Sequence, residues 1–115
     1  MSLFQIGNFT LASGENSTWK IECDALTLLD WQTLAKMIAE RCEPFGDVIG
    51  VPRGGLPLAQ ALVPYITSGR RLVVDDVFTT GKSLSAIVDK NDIVWVAFAR
   101  NQCPKGIHAL FQIHE

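Results

Sequence analysis

Residues Leu72 to Leu84 read LVVDDVFTTGKSL, and the rest of the chain is arranged around them. The apolar, β-branched run Leu72, Val73, Val74 has the character of a buried strand, and the acidic pair Asp75 and Asp76 follows it directly. Thr79-Thr80-Gly81-Lys82-Ser83 then leads into a stretch with helical apolar spacing. A strand, a tight loop and a helix start present unpaired backbone N–H groups and a positive dipole end, which suits a phosphate. Gly81 lets the backbone come close, and the hydroxyls of Thr79, Thr80 and Ser83 can donate to phosphate oxygens. Two carboxylates just before an anion cradle are costly to desolvate unless they accept from sugar hydroxyls or face a metal. The combination implies a site for a phosphorylated sugar. Gly81-Lys82-Ser83 also resembles the tail of a nucleotide-triphosphate loop, but that pattern requires glycine where this chain has Asp76.

A second anion site is expected upstream. Val48 to Val51 reads as a short buried strand, Pro52-Arg53-Gly54-Gly55 as a loop, and Leu56 to Tyr65 as a helix with Pro57 in its first turn. Paired glycines permit close backbone approach, and Arg53 supplies a charged donor fork. Only Ile66 to Arg70 separates this helix from the central strand, which leaves room for a turn and little else.

The remaining segments read as scaffold. Thr27 to Cys42 is the clearest helix, with Trp31, Leu34, Ala35, Ile38 and Cys42 on one stripe and Thr27 with Asp30 spaced to cap its start. Glu43 to Asp47 is expected to end it. Asn8 to Ala12 and Thr18 to Cys23 form candidate strands of a hairpin turning at Ser13-Gly14-Glu15-Asn16, with Trp19, Ile21 and Cys23 facing inward. Leu84, Ile87 and Val88 give a short helix that ends near Asp92. Ile93 to Ala99 is continuously apolar, as expected of a parallel strand covered on both faces. Ile107 to Ile113 forms a last strand. His108 and His114 share a face by parity, a spacing that reads as incidental.

A chain of 115 residues fits one domain, residues 1–115, in which residues 1–24 form a separate segment before a core at residues 25–115. Ten basic against twelve acidic residues, a net charge of −2, with no basic tract, argue against nucleic acid as a partner. Cys23, Cys42 and Cys103 lack paired metal spacing and read as buried or incidental thiols. There is no leader-like segment and no apolar run of membrane length, so a cytoplasmic protein without a membrane partner is expected. Strand–helix alternation with short connections predicts an α/β fold, a parallel sheet with helices on both sides.

Hydrophobics, an acidic pair, a spacer, Thr-Thr-Gly and Ser together resemble the phosphoribosyl pyrophosphate motif of the type I phosphoribosyltransferases. The resemblance implies that Asp75 and Asp76 hold the ribose hydroxyls and act in catalysis, while Val77, Phe78 and Thr79 to Ser83 complete the ribose-phosphate site. VPRGG resembles the family's pyrophosphate loop, which gives that role to Pro52, Arg53, Gly54 and Gly55. Gly7-x-Phe9-Thr10-Leu11-x-Ser13-Gly14-x-x-Ser17 is similar to the opening of the orotate phosphoribosyltransferases, where the segment forms part of a hood over the base. Those enzymes often carry lysine where this chain has Ala12. By position Arg100 matches an arginine that contacts the base, and a solvated charge at a strand end is an equally good reading.

The resemblance implies a shortened type I phosphoribosyltransferase-like fold with a small N-terminal hood. Its expected activity is transfer of ribose 5-phosphate from phosphoribosyl pyrophosphate to a nucleobase, an orotate-like base being one candidate, with release of pyrophosphate. Mg²⁺ would be bound chiefly through the pyrophosphate, with no metal ligand assigned among the side chains. A homodimer is expected, because family members commonly pair. The alternative is a non-catalytic module that binds phosphoribosyl pyrophosphate or a nucleotide. The orotate enzymes carry a mobile basic lid in the interval that is here only Ile66 to Arg70, with Arg70 and Arg71 the local cations.

Overall fold

The computed structural model describes residues 1–11 and 14–113. Strands β1 (Phe4–Thr10) and β2 (Asn16–Ile21) form an antiparallel hairpin. A 3-10 turn (Cys23–Ala25) leads to α1 (Leu28–Arg41), then β3 (Phe45–Gly50), α2 (Leu56–Leu62), β4 (Arg70–Phe78), α3 (Lys82–Ser85), β5 (Ile93–Arg100) and β6 (Ile107–Ile113). β3, β4, β5 and β6 make one parallel sheet in that order. The expected α/β architecture with its small hood segment is therefore present. No helix is long and apolar enough to cross a membrane among the described residues.

The sheet separates two apolar layers. On one face Leu72, Val74, Trp95 and Ala97 pack against Trp31, Leu34 and Ile38 of α1 and Leu58 and Leu62 of α2. On the other, Val73, Val94, Val96 and Ala99 pack against Leu84 of α3, with Ile87, Val88 and Cys103 beside them. All eight residues of β5 are buried, which is what its unbroken apolar run requires in a strand covered on both faces. α1 begins with the expected capping box. Thr27 Oγ1 accepts from Asp30 N at 3.2 Å, and the Asp30 carboxylate accepts from Thr27 N at 2.9 Å.

Several boundaries differ from the sequence reading. β1 begins at Phe4 rather than Asn8, because its apolar Phe4 and Ile6 point outward while Gln5 faces in, the reverse of the usual pattern. Ala12, Ser13 and His114, named above, lie outside the described residues. β2 ends at Ile21, and Cys23 sits buried in the following 3-10 turn, where the Glu22 side chain accepts from Asp24 N. β3 begins at Phe45, inside the segment expected to be only a helix terminator, since Phe45 is a core residue. The second helix tightens to 3-10 at Val63–Tyr65, next to Pro64, which has no N–H to continue the α-helix. α3 starts at Lys82 and lasts a single turn, and Ile87 and Val88 follow it outside the helix. β5 runs one residue further than expected, to Arg100.

The turn between α2 and β4 is locked. Gly69 adopts φ +120°, and the carbonyl of Phe45 accepts from Thr67 N at 2.9 Å. A side chain at Gly46 would meet the Gly69 carbonyl at 2.7 Å. At the opposite end of β4 from the carboxylates, Arg71 pairs with Asp92 through bonds of 3.0 and 2.5 Å, and Arg70 pairs with Glu43. Arg71 stands four residues from Asp75, ~13 Å along the strand. These cations are engaged at the far end of the sheet.

Candidate functional site

A cavity of about 400 Å³ opens at the carboxyl ends of β3 and β4, where open α/β sheets place ligands. Its floor comes from the end of β4, its sides from the loops at residues 51–54 and 79–83, and its cover from the hairpin. Of the residues singled out in the sequence, Asp75, Asp76, Val77, Phe78 and the whole of Thr79 to Ser83 line it, together with Pro52, Gly54 and Arg100. Arg53 and Gly55 do not. Arg53 is exposed, and Gly55 is buried beneath its loop, where a Cβ would come within 2.6 Å of the Val74 carbonyl.

The carboxylates are not at the strand's end, as expected, but inside it. β4 continues to Phe78, and Asp75 is paired in register with Val96 of β5. Alternation sends the two acids to opposite faces of the strand. Asp75 is only 8% exposed, and burial, reinforced by the neighbouring Asp76, pushes its carboxyl up to about 8. Each acid also bends back to the chain: Asp75 Oδ1 accepts from Asp76 N, and Asp76 Oδ1 from Val77 N, both at 2.8 Å. On the opposite face Asp76 is half-buried, with the Cys23 thiol beside it, and burial next to this carboxylate drives the thiol strongly up.

Asp76 also ties the two loops together. A side chain at Gly54 would collide with the Asp76 carboxylate, so glycine there is what lets the loop and the acid share this space. The Pro52–Arg53 peptide in this loop is cis. In the other loop Gly81 adopts φ +80°, a left-handed conformation, and a Cβ there would lie 2.7 Å from the Phe78 ring. α3 is too short to carry an appreciable helix dipole. What this loop offers an anion is therefore the hydroxyls of Thr79, Thr80 and Ser83, the close backbone and Lys82.

Arg100 overturns one reading of the sequence. It is 7% exposed rather than solvated, and its guanidinium carbon lies 3.4 Å from the centre of the Trp19 ring. Nη1 donates to the Trp19 carbonyl and Nη2 to Ser17 Oγ, each at 2.9 Å. The hairpin's share of the cavity is Thr10, Leu11, Lys20 and Ile21; the first two fall in the segment read as a hood, whereas sequence reasoning gave Lys20 and Ile21 no part in the site. Lys20 sits on the strand face read as outward, yet it is half-buried, pairs with Glu22 at 2.9 Å and stands 4.8 Å from the centre of the Phe9 ring. Beside the main cavity is a smaller, polar one of about 260 Å³, which shares Leu11, Thr79, Thr80 and Arg100 with it and adds Glu15, Asn16 and Ser17 of the hairpin with Asn101 and Gln102. The sequence signals for this second chamber are Arg100 at the end of an apolar strand and Leu11 and Ser17 in the hood motif.

No known family's model and no curated protein sequence matches the chain. Its fold does match solved structures. Over 96% of its length it superposes on the UMP synthase of Leishmania donovani, with a TM-score of 0.78 and 21% identity, and it spans 34% of that longer chain. The orotate phosphoribosyltransferase of Aeropyrum pernix gives a TM-score of 0.76 at 23% identity, over 96% of this chain and 88% of that one. The xanthine-guanine-hypoxanthine phosphoribosyltransferase of Helicobacter pylori gives 0.51 at 21%, over 76% and 80%. The chain thus has the type I phosphoribosyltransferase fold, in a form resembling the orotate enzymes.

Proposed function

We propose that the chain transfers ribose 5-phosphate from phosphoribosyl pyrophosphate to a ring nitrogen of a nucleobase, releasing pyrophosphate. The observation that carries this reading is the convergence of Asp75, Asp76 and the 79–83 loop on one cavity, roofed by a hairpin, in a fold shared with phosphoribosyltransferases. In this reading the 79–83 loop holds the 5-phosphate through hydroxyls and close backbone, and Asp75 and Asp76 hold the ribose hydroxyls. The loop at residues 52–54 faces the pyrophosphate, with Gly54 giving room for backbone approach and Arg53 free to swing in from the rim. The bond from C1 to the pyrophosphate oxygen breaks as the bond from C1 to nitrogen forms, and the nitrogen's proton leaves to solvent. The acidic pair, with Asp75 protonated in the ligand-free chain, keeps one negative charge near neutral pH, and that charge favours the positive charge that develops at C1.

Mg²⁺ fits the donor set only in part. Asp75 and Asp76 are hard oxygen ligands, but no cluster of three His, Cys, Asp or Glu side chains is present among the described residues. The ion would therefore ride mainly on pyrophosphate and ribose oxygens, and when bound it neutralises charge on the leaving group. The smaller polar chamber beside Thr79, Thr80 and Arg100 is the place for the base, orotate-like or otherwise. We place the protein in the cytoplasm as a homodimer. A second reading, a module that binds the donor without turnover, draws on the locked turn at residues 66–69, which leaves no closing loop to exclude water. Incubating the protein with donor, Mg²⁺ and a panel of bases, and measuring pyrophosphate with the new nucleotide, decides between them. Release coupled to one base supports transfer, whereas donor binding without release supports the module.

A further inference from the structure

We propose that Arg100 is a positioning residue that clamps the hairpin over the acceptor side of the cavity. The proposal rests on the transfer reading above for what the hairpin covers, but the clamp itself stands on geometry. The hairpin projects from the core. Its base is held where Leu3 and Ile21 pack against the large apolar cluster, while Phe4 and Ile6 on its outer face are 54% and 92% exposed. Further out, a β-bulge puts three steps of β1, from Ile6 to Phe9, against two of β2, from Trp19 to Ser17. There Ser17 Oγ donates to the Trp19 carbonyl at 2.7 Å and accepts from Trp19 N at 3.2 Å. This local loop of bonds presents a carbonyl and a hydroxyl oxygen side by side, matched to two donors of one guanidinium.

Arg100 supplies those donors from the last residue of β5, the most deeply buried strand of the sheet. Its guanidinium carbon also sits over the Trp19 ring, a combination with the paired donors that is open to arginine and not to lysine. The clamped residues Ser17 and Trp19 lie in sequence between Thr10 and Leu11 on one side and Lys20 and Ile21 on the other, which are the hairpin's cavity-lining residues. Fixing the middle of β2 therefore fixes the wall. The donor half of the site is built on β4 and its following loop, which strand pairing holds in place apart from this tie.

The test combines hydrogen exchange with binding and kinetics on the full chain, using Arg100→Ala, Arg100→Lys and Trp19→Leu. Trp19 lines neither of the two chambers assigned to donor and base, so its variant loosens the clamp while leaving Arg100 in place to meet a base. Without any ligand, Arg100→Ala and Trp19→Leu are expected to raise exchange at the β2 amides about tenfold or more, with the β4 and β5 amides unchanged. Affinity for phosphoribosyl pyrophosphate stays within about twofold, and where a base is turned over its KM rises about tenfold while kcat falls less. Arg100→Lys is expected to recover part of the exchange protection and less than half of the KM effect. Unchanged β2 exchange in Arg100→Ala would overturn the clamp. So would a wild-type KM in Trp19→Leu beside a large rise in Arg100→Ala, since that marks Arg100 as a direct contact to the base. A protein that turns over no base defeats the transfer reading alone, because the exchange arm still decides the clamp.

Discussion

The two halves of the cavity wall are built on different principles. The donor half belongs to β4 and β5, where strand pairing, two apolar layers and close glycine contacts leave the side chains little freedom. The acceptor half belongs to a hairpin that exposes its apolar residues and reaches the sheet through a buried arginine. The contrast teaches where to look for invariance and where for tuning. In the proposed reading, ribose-phosphate chemistry sits on the part held by strand pairing and the buried core. In the same reading, the part that meets the base hangs on contacts worth only a few kcal/mol.

Breaking the donor half is expected to give the largest effect. Asp75→Asn with Asp76→Asn is expected to lower affinity for phosphoribosyl pyrophosphate about 100-fold or more, measured by calorimetry with Mg²⁺ present, because both ribose-facing carboxyl groups and the charge they carry are lost. Unchanged affinity would remove the ribose from this pair. Gly81→Val comes next. It places a branched side chain against Phe78 in a left-handed backbone, and a loss of donor affinity of about tenfold or more is expected, larger than for Lys82→Ala. A worse loss at Lys82 would point to a lysine-centred site of another kind.

Smaller effects sharpen the same contrast. Gly54→Ala forces the Asp76 carboxylate aside and is expected to weaken donor binding about fivefold with little change in melting temperature. Gly55→Ala, pressed against the Val74 carbonyl, does the reverse and costs about 1–3 kcal/mol of stability. The smallest effect is a pH slope. The folded chain holds the Asp75 proton up to about pH 8, whereas the unfolded chain releases it near the ordinary 3.8. The folded state is therefore favoured most below pH 4, and this contribution is lost as pH rises toward 8. Asp75→Asn is expected to flatten that slope in thermal melts of the ligand-free protein, and an unchanged slope would show that Asp75 is not the group responsible.

Legibility in the sequence divides along the same line. The donor half can be read because its signals are local: an apolar run, two acids, a glycine and hydroxyls in a row. Even there a local reading stops the strand too early. Pairing of Val77 with Phe98 carries β4 past the acids and buries Asp75, and pairing is a tertiary fact that no local pattern contains. From sequence the acidic pair reads as lying outside the core, and the neutralising double substitution as harmless to the fold. The buried Asp75 corrects the premise of that reading. The hairpin is less legible because Phe4 and Ile6 face outward and Lys20 faces in, against the usual alternation. Arg100 is visible as a position but not as a clamp, since its partners Trp19 and Ser17 lie 81 and 83 residues away along the chain.

The central claim is that the sugar-phosphate donor sits on the sheet half of the cavity. It is tested most directly by hydrogen exchange of the full chain with and without phosphoribosyl pyrophosphate and Mg²⁺. The account predicts new protection at the backbone amides of residues 76–84 and in the loop at residues 53–55, with the β1–β2 amides nearly unchanged until a base is added. Protection confined to the hairpin, or none at saturating donor, would contradict it.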